Sequence, residues 1–103
     1  MKNEQIRRIQ HMEELLDTCS SNIESLFHAL EQYKEYYPQY KELIDYYSNG
    51  LWQQDYEDDN NGKIPQDMKR GVLSQDSIYD LIGETKYLQQ ELINILSLLK
   101  KNQ

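Results

Sequence analysis

Apolar residues recur at alternating steps of three and four through the first half of the chain, from Ile9 to Tyr47. Spacing of this kind places one apolar stripe along one face of an α-helix, and it is typical of a helix that packs lengthwise against a second helix. We therefore predict a long amphipathic helix here and call its stripe the first seam. The first seam consists of Ile9, Met12, Leu16, Cys19, Ile23, Leu26, Leu30, Tyr33, Tyr37, Tyr40, Ile44 and Tyr47.

A second apolar stripe follows Gly71 and predicts another helix. Ser74 is of a type that caps helix N-termini, and Leu73 and Ile78 on either side of it have the spacing of a hydrophobic staple. The helix is therefore expected to begin at Ser74 and to run to about residue 101. Its stripe, the second seam, consists of Ile78, Leu81, Thr85, Leu88, Leu92, Ile95 and Leu99.

These two seams determine the predicted fold class. No stretch of the sequence alternates between apolar and polar residues as a strand does, so we predict an all-α protein. Two apolar stripes on one chain are buried most economically against each other, which predicts an antiparallel helical hairpin or a three-helix bundle. A chain of 103 residues is long enough for one such core and therefore for a single helical domain over residues 1–103. The core is expected to contain Leu26, Leu30, Leu88 and Leu92.

Pro38 interrupts the first predicted helix, because an interior proline lacks one helical hydrogen bond and clashes with the preceding turn. Without a bend, a helix from residue 2 to residue 48 would be roughly 70 Å long, whereas the last helix would span only about 40 Å. We expect a kink or break near Pro38, with Asn49-Gly50 as the next stop, or a homodimer that covers the overhang. The predicted elements are a helix at about 2–37, a helix at about 38–48, a long and partly ordered connection at about 49–73, and a helix at about 74–101.

Charge and composition narrow the range of partners. The formal net charge is −7, and we expect no nucleic-acid partner, since such binding depends on basic side chains that neutralise phosphates. No apolar run approaches the ~20 residues that cross a bilayer, and the N-terminus lacks the apolar core of a secretory signal. A single cysteine, Cys19, cannot form an internal disulfide. We predict a cytoplasmic protein that does not associate with membranes.

Tyrosines cluster on both sides of Pro38, and Trp52 and Tyr56 follow soon after. Tyrosine and tryptophan bury a large area and keep a polar tip, which makes them frequent at protein interfaces. Tyrosines at seam positions also serve as the more hydrated end of a core, and this alternative stays open. We predict that aromatic residues of this region and two nearby carboxylates contact a partner. They are Tyr36, Tyr37, Trp52, Tyr56, Asp58 and Asp59.

The segment DYEDDNNGKIPQD, residues 55–67, is rich in both carboxylates and turn-forming residues. With Gly62 at the sixth position of an EF-hand loop, Asp59 falls at a ligand position. Glu57 and Met68, however, stand where the first ligand and the closing bidentate carboxylate are needed. We therefore interpret the segment as a connector with a turn around Gly62, and we predict no metal site.

The run LWQQDYEDDNNGKIPQDMKRGVLSQDSIYDLI, residues 51–82, follows a predicted helix that contains RIQHMEELLD. With this combination the chain resembles, over nearly its whole length, the small bacterial proteins grouped as domain of unknown function 4298. The most specific part of the resemblance runs from Trp52 through KRGVLS at residues 69–74 to Tyr79. The resemblance implies a short helical protein without an assigned activity, and it supplies no catalytic residues.

No arrangement of residues typical of an enzyme is evident. Glu24 and His28 lie one helical turn apart, but a second such pair, which a di-metal helical site needs, is absent from the sequence. We predict no catalytic residues and no cofactor, and we expect a non-enzymatic adaptor that binds a protein partner. The alternative is a metal-responsive, calcium-binding protein or a small catalytic protein that uses the acidic segment 55–67.

Overall fold

The computed structural model describes residues 2–102, and over this range it contains helices and turns but no strand. The all-α class predicted from the two seams is therefore confirmed. Two compact units are present, the first ending at Tyr40 and the second beginning at Lys41. The elements are helix α1 at Lys2–Ser48, helix α2 at Leu51–Asn60, a 3₁₀ turn at Gly71–Leu73 and helix α3 at Ser77–Lys101.

Helix α1 continues through Pro38 without interruption, so the predicted break, and with it a separate helix at 38–48, is not found. The fixed φ of proline is itself close to the helical value, so its cost is limited to one backbone hydrogen bond and a local clash. The helix ends at Asn49-Gly50, as predicted. Gly50 has a φ of 96°, a left-handed conformation that glycine adopts more readily than other residues.

Part of the predicted connection is itself a helix, α2 at Leu51–Asn60. Just after this helix Gly62 has a φ of 76°, and its N–H donates a hydrogen bond to the carbonyl oxygen of Asp59 at 3.1 Å. The N–H of Lys63 donates to the carbonyl oxygen of Asp58 at 2.9 Å. Two such bonds around a left-handed glycine form a Schellman motif. The turn predicted around Gly62 is thus the C-terminal stop of a helix that was not predicted.

Ser74, which the sequence predicts as the N-cap, lies in the turn before α3; the residue directly before the helix is Asp76, which forms no side-chain capping bond. Ser74 has an extended backbone with a ψ of 147°, and its Oγ accepts a hydrogen bond from the N–H of Ser77 at 3.3 Å. The helix itself begins at Ser77, later than predicted, because residues 74–76 form the turn that this bond closes. Leu73 and Ile78, the predicted staple, are both buried.

The core of the second unit is small and lies around Trp52. Trp52, Leu73 and Ile78 are buried, with 7%, 8% and 2% of their surface exposed. The residues that build this core are close together in sequence, which keeps the loop-closure entropy low. The half-buried side chains packed against it are Leu43, Ile44, Tyr46, Tyr47, Tyr56 and Ile82.

The leucines predicted to form the core are not buried. The exposed fractions of Leu26, Leu88 and Leu92 are 45%, 37% and 41%. Leu30 is half-buried, and Cys19, which its seam position predicts to be buried, is exposed. The prediction of this core is wrong because periodicity identifies the apolar face of a helix but not what covers that face. The hairpin or bundle arrangement stays a prediction.

Candidate partner-binding surface

Four tyrosines at the end of the first unit form an aromatic group on α1, which we call the tyrosine group. Tyr33, Tyr37 and Tyr40 follow each other at steps of four and three, so helix geometry places them on one face. The ring centroids of Tyr33 and Tyr37 are 6.5 Å apart, and those of Tyr37 and Tyr40 are 6.0 Å apart. Tyr36, the fourth member, lies beside this row and is 71% exposed.

A shallow hollow lies next to Tyr36 within the first unit. It is lined by Ala29, by the rings of Tyr33 and Tyr36, and by the polar side chains of Gln32 and Glu35. Ala29 is one helical turn before Tyr33, and its small side chain leaves room beside the tyrosine ring. The hollow can therefore receive an apolar side chain, and Glu35 places a carboxylate beside it.

Trp52 lies in the core of the second unit rather than on its surface. Its Nε1–H donates a hydrogen bond to the carbonyl oxygen of Val72 at 2.8 Å. The indole stacks on Tyr56 with ring centroids 5.0 Å apart, and Tyr47 meets it edge-on at 5.1 Å. Because its polar atom is bonded and its ring is covered, Trp52 stabilises the fold, whereas Tyr56 is only half-buried.

A polar contact that the sequence analysis missed joins the end of α1 to α2. The Tyr46 hydroxyl donates a hydrogen bond to Oδ2 of Asp55 at 2.7 Å. Burial raises the pKa of Tyr46 to about 12, and the hydrogen bond and the negative charge of Asp55 act in the same direction, because all three disfavour the phenolate. The two residues lie on either side of the helix end at Asn49-Gly50. The position at which α1 ends is therefore the only feature of the sequence that indicates this contact.

The two carboxylates of the predicted surface, Asp58 and Asp59, both form ion pairs within the second unit. Asp59 Oδ1 accepts a hydrogen bond from Arg70 Nη1, and 17% of the Asp59 side chain is exposed. Asp58 Oδ1 lies 3.9 Å from Lys63 Nζ, and 33% of the Asp58 side chain is exposed. Both pairs connect α2 to the chain that follows it.

An open polar hollow lies beside the Asp59–Arg70 pair and is also lined by Met68 and Asp76. The guanidinium of Arg70 repels a cation at this carboxylate. The side chain of Met68 carries no carboxylate to close a calcium site. Over residues 2–102, no three His, Cys, Asp or Glu side chains lie close enough together to hold a metal ion. The acidic segment is therefore arranged around internal ion pairs.

A model of the family described as Domain of unknown function (DUF4298) matches residues 9–95. The chain belongs to the DUF4298 family. The match begins at the first residue of the first seam and includes the tyrosine group, α2 and most of α3. Comparisons with curated proteins and with solved structures gave no match. Membership of DUF4298 confirms the resemblance noted in the sequence and carries no assigned activity.

In this DUF4298 chain the six residues predicted to contact a partner fall into two units. Tyr36 and Tyr37 belong to the first unit and are 71% and 47% exposed. The hollow beside them was not predicted from the sequence. The small residue Ala29, one helical turn before Tyr33, is the feature that indicates it. The second unit contains the other four predicted residues, which are Trp52, Tyr56, Asp58 and Asp59.

Over residues 2–102, none of the helices combines the length and the apolar composition that a membrane span requires.

Proposed function

We propose that this protein is a non-enzymatic adaptor that binds another protein through the tyrosine group of α1. The observation that carries the proposal is the 71% exposure of Tyr36 beside the hollow lined by Ala29 and Glu35. One exposed tyrosine is ordinary, but a tyrosine beside an aromatic row and a hollow offers both an anchor and a receptor for a partner's side chain. Removal of this aromatic area from water favours association.

The chemistry of the surface favours a partner that brings an apolar side chain and a basic group. The apolar side chain fills the hollow, and a Lys or Arg of the partner pairs with Glu35 at its edge. The net charge of −7 acts over a longer distance and speeds the encounter with a positively charged protein.

We infer a smaller contribution from α2 in the second unit. Asp58 keeps 33% of its side chain exposed, and Tyr56 is half-buried, so a partner can reach both. Asp59 is engaged by Arg70, and Trp52 is covered by its aromatic neighbours. Asp59 and Trp52 therefore stabilise the fold of the second unit, while Asp58 and Tyr56 remain candidates for contact with the partner.

The substitution Tyr36→Ala tests the proposal in the full chain. We expect it to abolish capture of the partner that the wild-type chain retains from native cell extract, while thermal unfolding is unchanged because the side chain is exposed. Tyr87→Ala is the matched control, since Tyr87 on α3 is 69% exposed, and this variant should retain the partner. The proposal is wrong if Tyr36→Ala captures the same protein as the wild type, or if both variants lose it equally.

The proposed protein partners include a second copy of the chain. Helix α1 has 47 residues and α3 has only 25, so α3 is too short to cover the whole apolar face of α1, whereas a second copy can cover what remains. We also propose a cytoplasmic location and no nucleic-acid partner, which the single cysteine and the acidic net charge support. Cell fractionation tests the location. A binding measurement with duplex DNA at low salt tests the absence of a nucleic-acid partner, and a salt-dependent affinity would contradict it.

A further inference from the structure

Most of the first seam is exposed in the first unit, and only Leu30 and Tyr40 among its members there are half-buried. Between Ile9 and Leu26 the large apolar members of the seam have exposed fractions from 45% to 59%, and no residue of α1 is buried. Leu15 and Phe27 beside the seam are 44% and 62% exposed, which widens the apolar stripe. A continuous apolar stripe of this length marks a contact surface. Its spacing and the charges beside it indicate what covers it.

The spacing indicates another helix. From Ile9 to Tyr47 the steps alternate between three and four, which averages about 3.5, and a 3.5 repeat stays in line when two helices supercoil around each other. In heptad terms the a positions are Ile9, Leu16, Ile23 and Leu30, and the d positions are Met12, Cys19 and Leu26. In parallel coiled coils, isoleucine at a and leucine at d, the combination at Ile23 and Leu26, favour an assembly of two helices over three or four.

The charges beside the seam favour a second copy of the same chain. Arg8 occupies a g position and Glu13 the following e position, and in a parallel, in-register pair each g faces the following e of the other helix. Two ion pairs between Arg8 and Glu13 therefore form by symmetry. The other acidic residues of this stretch lie at b or f, away from the contact, which limits repulsion between two acidic chains. They are Glu14, Asp17, Glu24 and Glu31.

We propose that a second copy of the chain covers the first seam between Ile9 and Leu30 as a parallel, in-register coiled coil. The last members of the seam, Ile44 and Tyr47, take no part in this contact, because they pack against the core around Trp52 in the second unit. This contact uses residues other than Tyr36 and goes beyond the adaptor function.

Cys19 makes the orientation testable, because the d residues of two parallel, in-register helices face each other. Its thiol is exposed, and diamide oxidises two facing thiols to a disulfide while the diamide takes up the two electrons and two protons. Under reducing conditions we expect sedimentation equilibrium of the full chain to give twice the mass of one chain. Diamide should convert this dimer to a covalent one, and Cys19→Ser should remove only the covalent product.

Two substitutions on α1 separate the seam from the rest of the helix surface. Ile23→Glu places a carboxylate in the seam and should raise the dimer Kd by about a hundredfold or more. Ser21→Glu adds the same charge at an exposed f position and should leave the Kd nearly unchanged. The fluorescence of Trp52, the single tryptophan, shows in both variants whether the second unit stays folded.

A charge reversal tests the ion pairs directly. Arg8→Glu should weaken the dimer, and the double variant Arg8→Glu/Glu13→Arg should restore it, because the pair is then reversed but still complementary. A chain that remains monomeric, or a dimer that Ile23→Glu leaves intact, overturns the proposal. A dimer without a Cys19 disulfide overturns the parallel, in-register arrangement. None of these results depends on partner capture by Tyr36, so this proposal and the adaptor function fail separately.

Discussion

Replacement of Ile78 by Ala should strongly destabilise the second unit. Ile78 exposes 2% of its surface, and within the described chain it shares the buried cluster with Trp52 and Leu73 alone. The truncation loses about 2.4 kcal/mol of transfer free energy at about 0.8 kcal/mol for each buried carbon group. The cavity left in so small a core adds to this loss, so we expect the free energy of unfolding to fall by about 2 to 5 kcal/mol.

Urea unfolding followed by the fluorescence of Trp52 measures this loss, because the chain has one tryptophan and it packs in the same cluster. Ile93→Ala is the control, since Ile93 is the same residue type on the same helix and is 51% exposed. We expect this control to lose less than about 1 kcal/mol. The protein concentration must be equal in all samples, since association of two chains adds to the apparent stability.

Equal losses for Ile78→Ala and Ile93→Ala would refute the reasoning, because burial would then not decide the cost. Leu92→Ala supplies a second comparison. Leu92 belongs to the core predicted from the sequence, but it is 41% exposed, so its truncation should cost less than that of Ile78. A larger cost at Leu92 would instead favour a core between the two seams.

Two further predictions concern pH and metal. The pKa of Tyr46 is raised from 10.0 to about 12, so its contribution to stability is fully present below about pH 10 and is lost as the pH rises from 10 through 12. The Tm of the wild type should therefore fall more steeply above about pH 10 than that of Tyr46→Phe, and parallel curves would contradict this. Millimolar calcium should leave the Tm unchanged, because Arg70 engages Asp59 and Met68 supplies no carboxylate. A saturable rise in Tm that Asp59→Ala abolishes would show that calcium binds.

Features that depend on neighbours in the sequence could be predicted. Steps of three and four identified α1 and α3, because that spacing follows directly from helix geometry. Gly62 indicated the turn after α2, and Ser74 indicated the turn before α3, since glycine conformation and short-range side-chain hydrogen bonds are local properties.

Features that depend on which faces meet could not be predicted. Periodicity gives no information about the acceptor that Trp52 finds at Val72, on a turn well beyond α2. The contact of Tyr46 with Asp55 depends on the direction the chain takes after Gly50. Of the kink or break expected near Pro38, the break is not found, because the cost of one interior proline does not outweigh the helical preference of the long segment around it. A kink at Pro38 stays a prediction.

The absence of buried side chains in α1 links recognition to helix formation. Up to Tyr40 the helix depends on backbone hydrogen bonds and on pairs between adjacent turns, such as Lys34 with Glu31 at 2.7 Å. Each such pair contributes about 0.2 to 0.5 kcal/mol, whereas most helical stability in proteins comes from packing of an amphipathic face, which this stretch lacks within one chain. A ligand that binds this stretch in its helical form therefore shifts the helix–coil equilibrium, and part of the binding free energy orders the chain. A substitution that raises helix propensity on the outer face should tighten binding without touching the ligand.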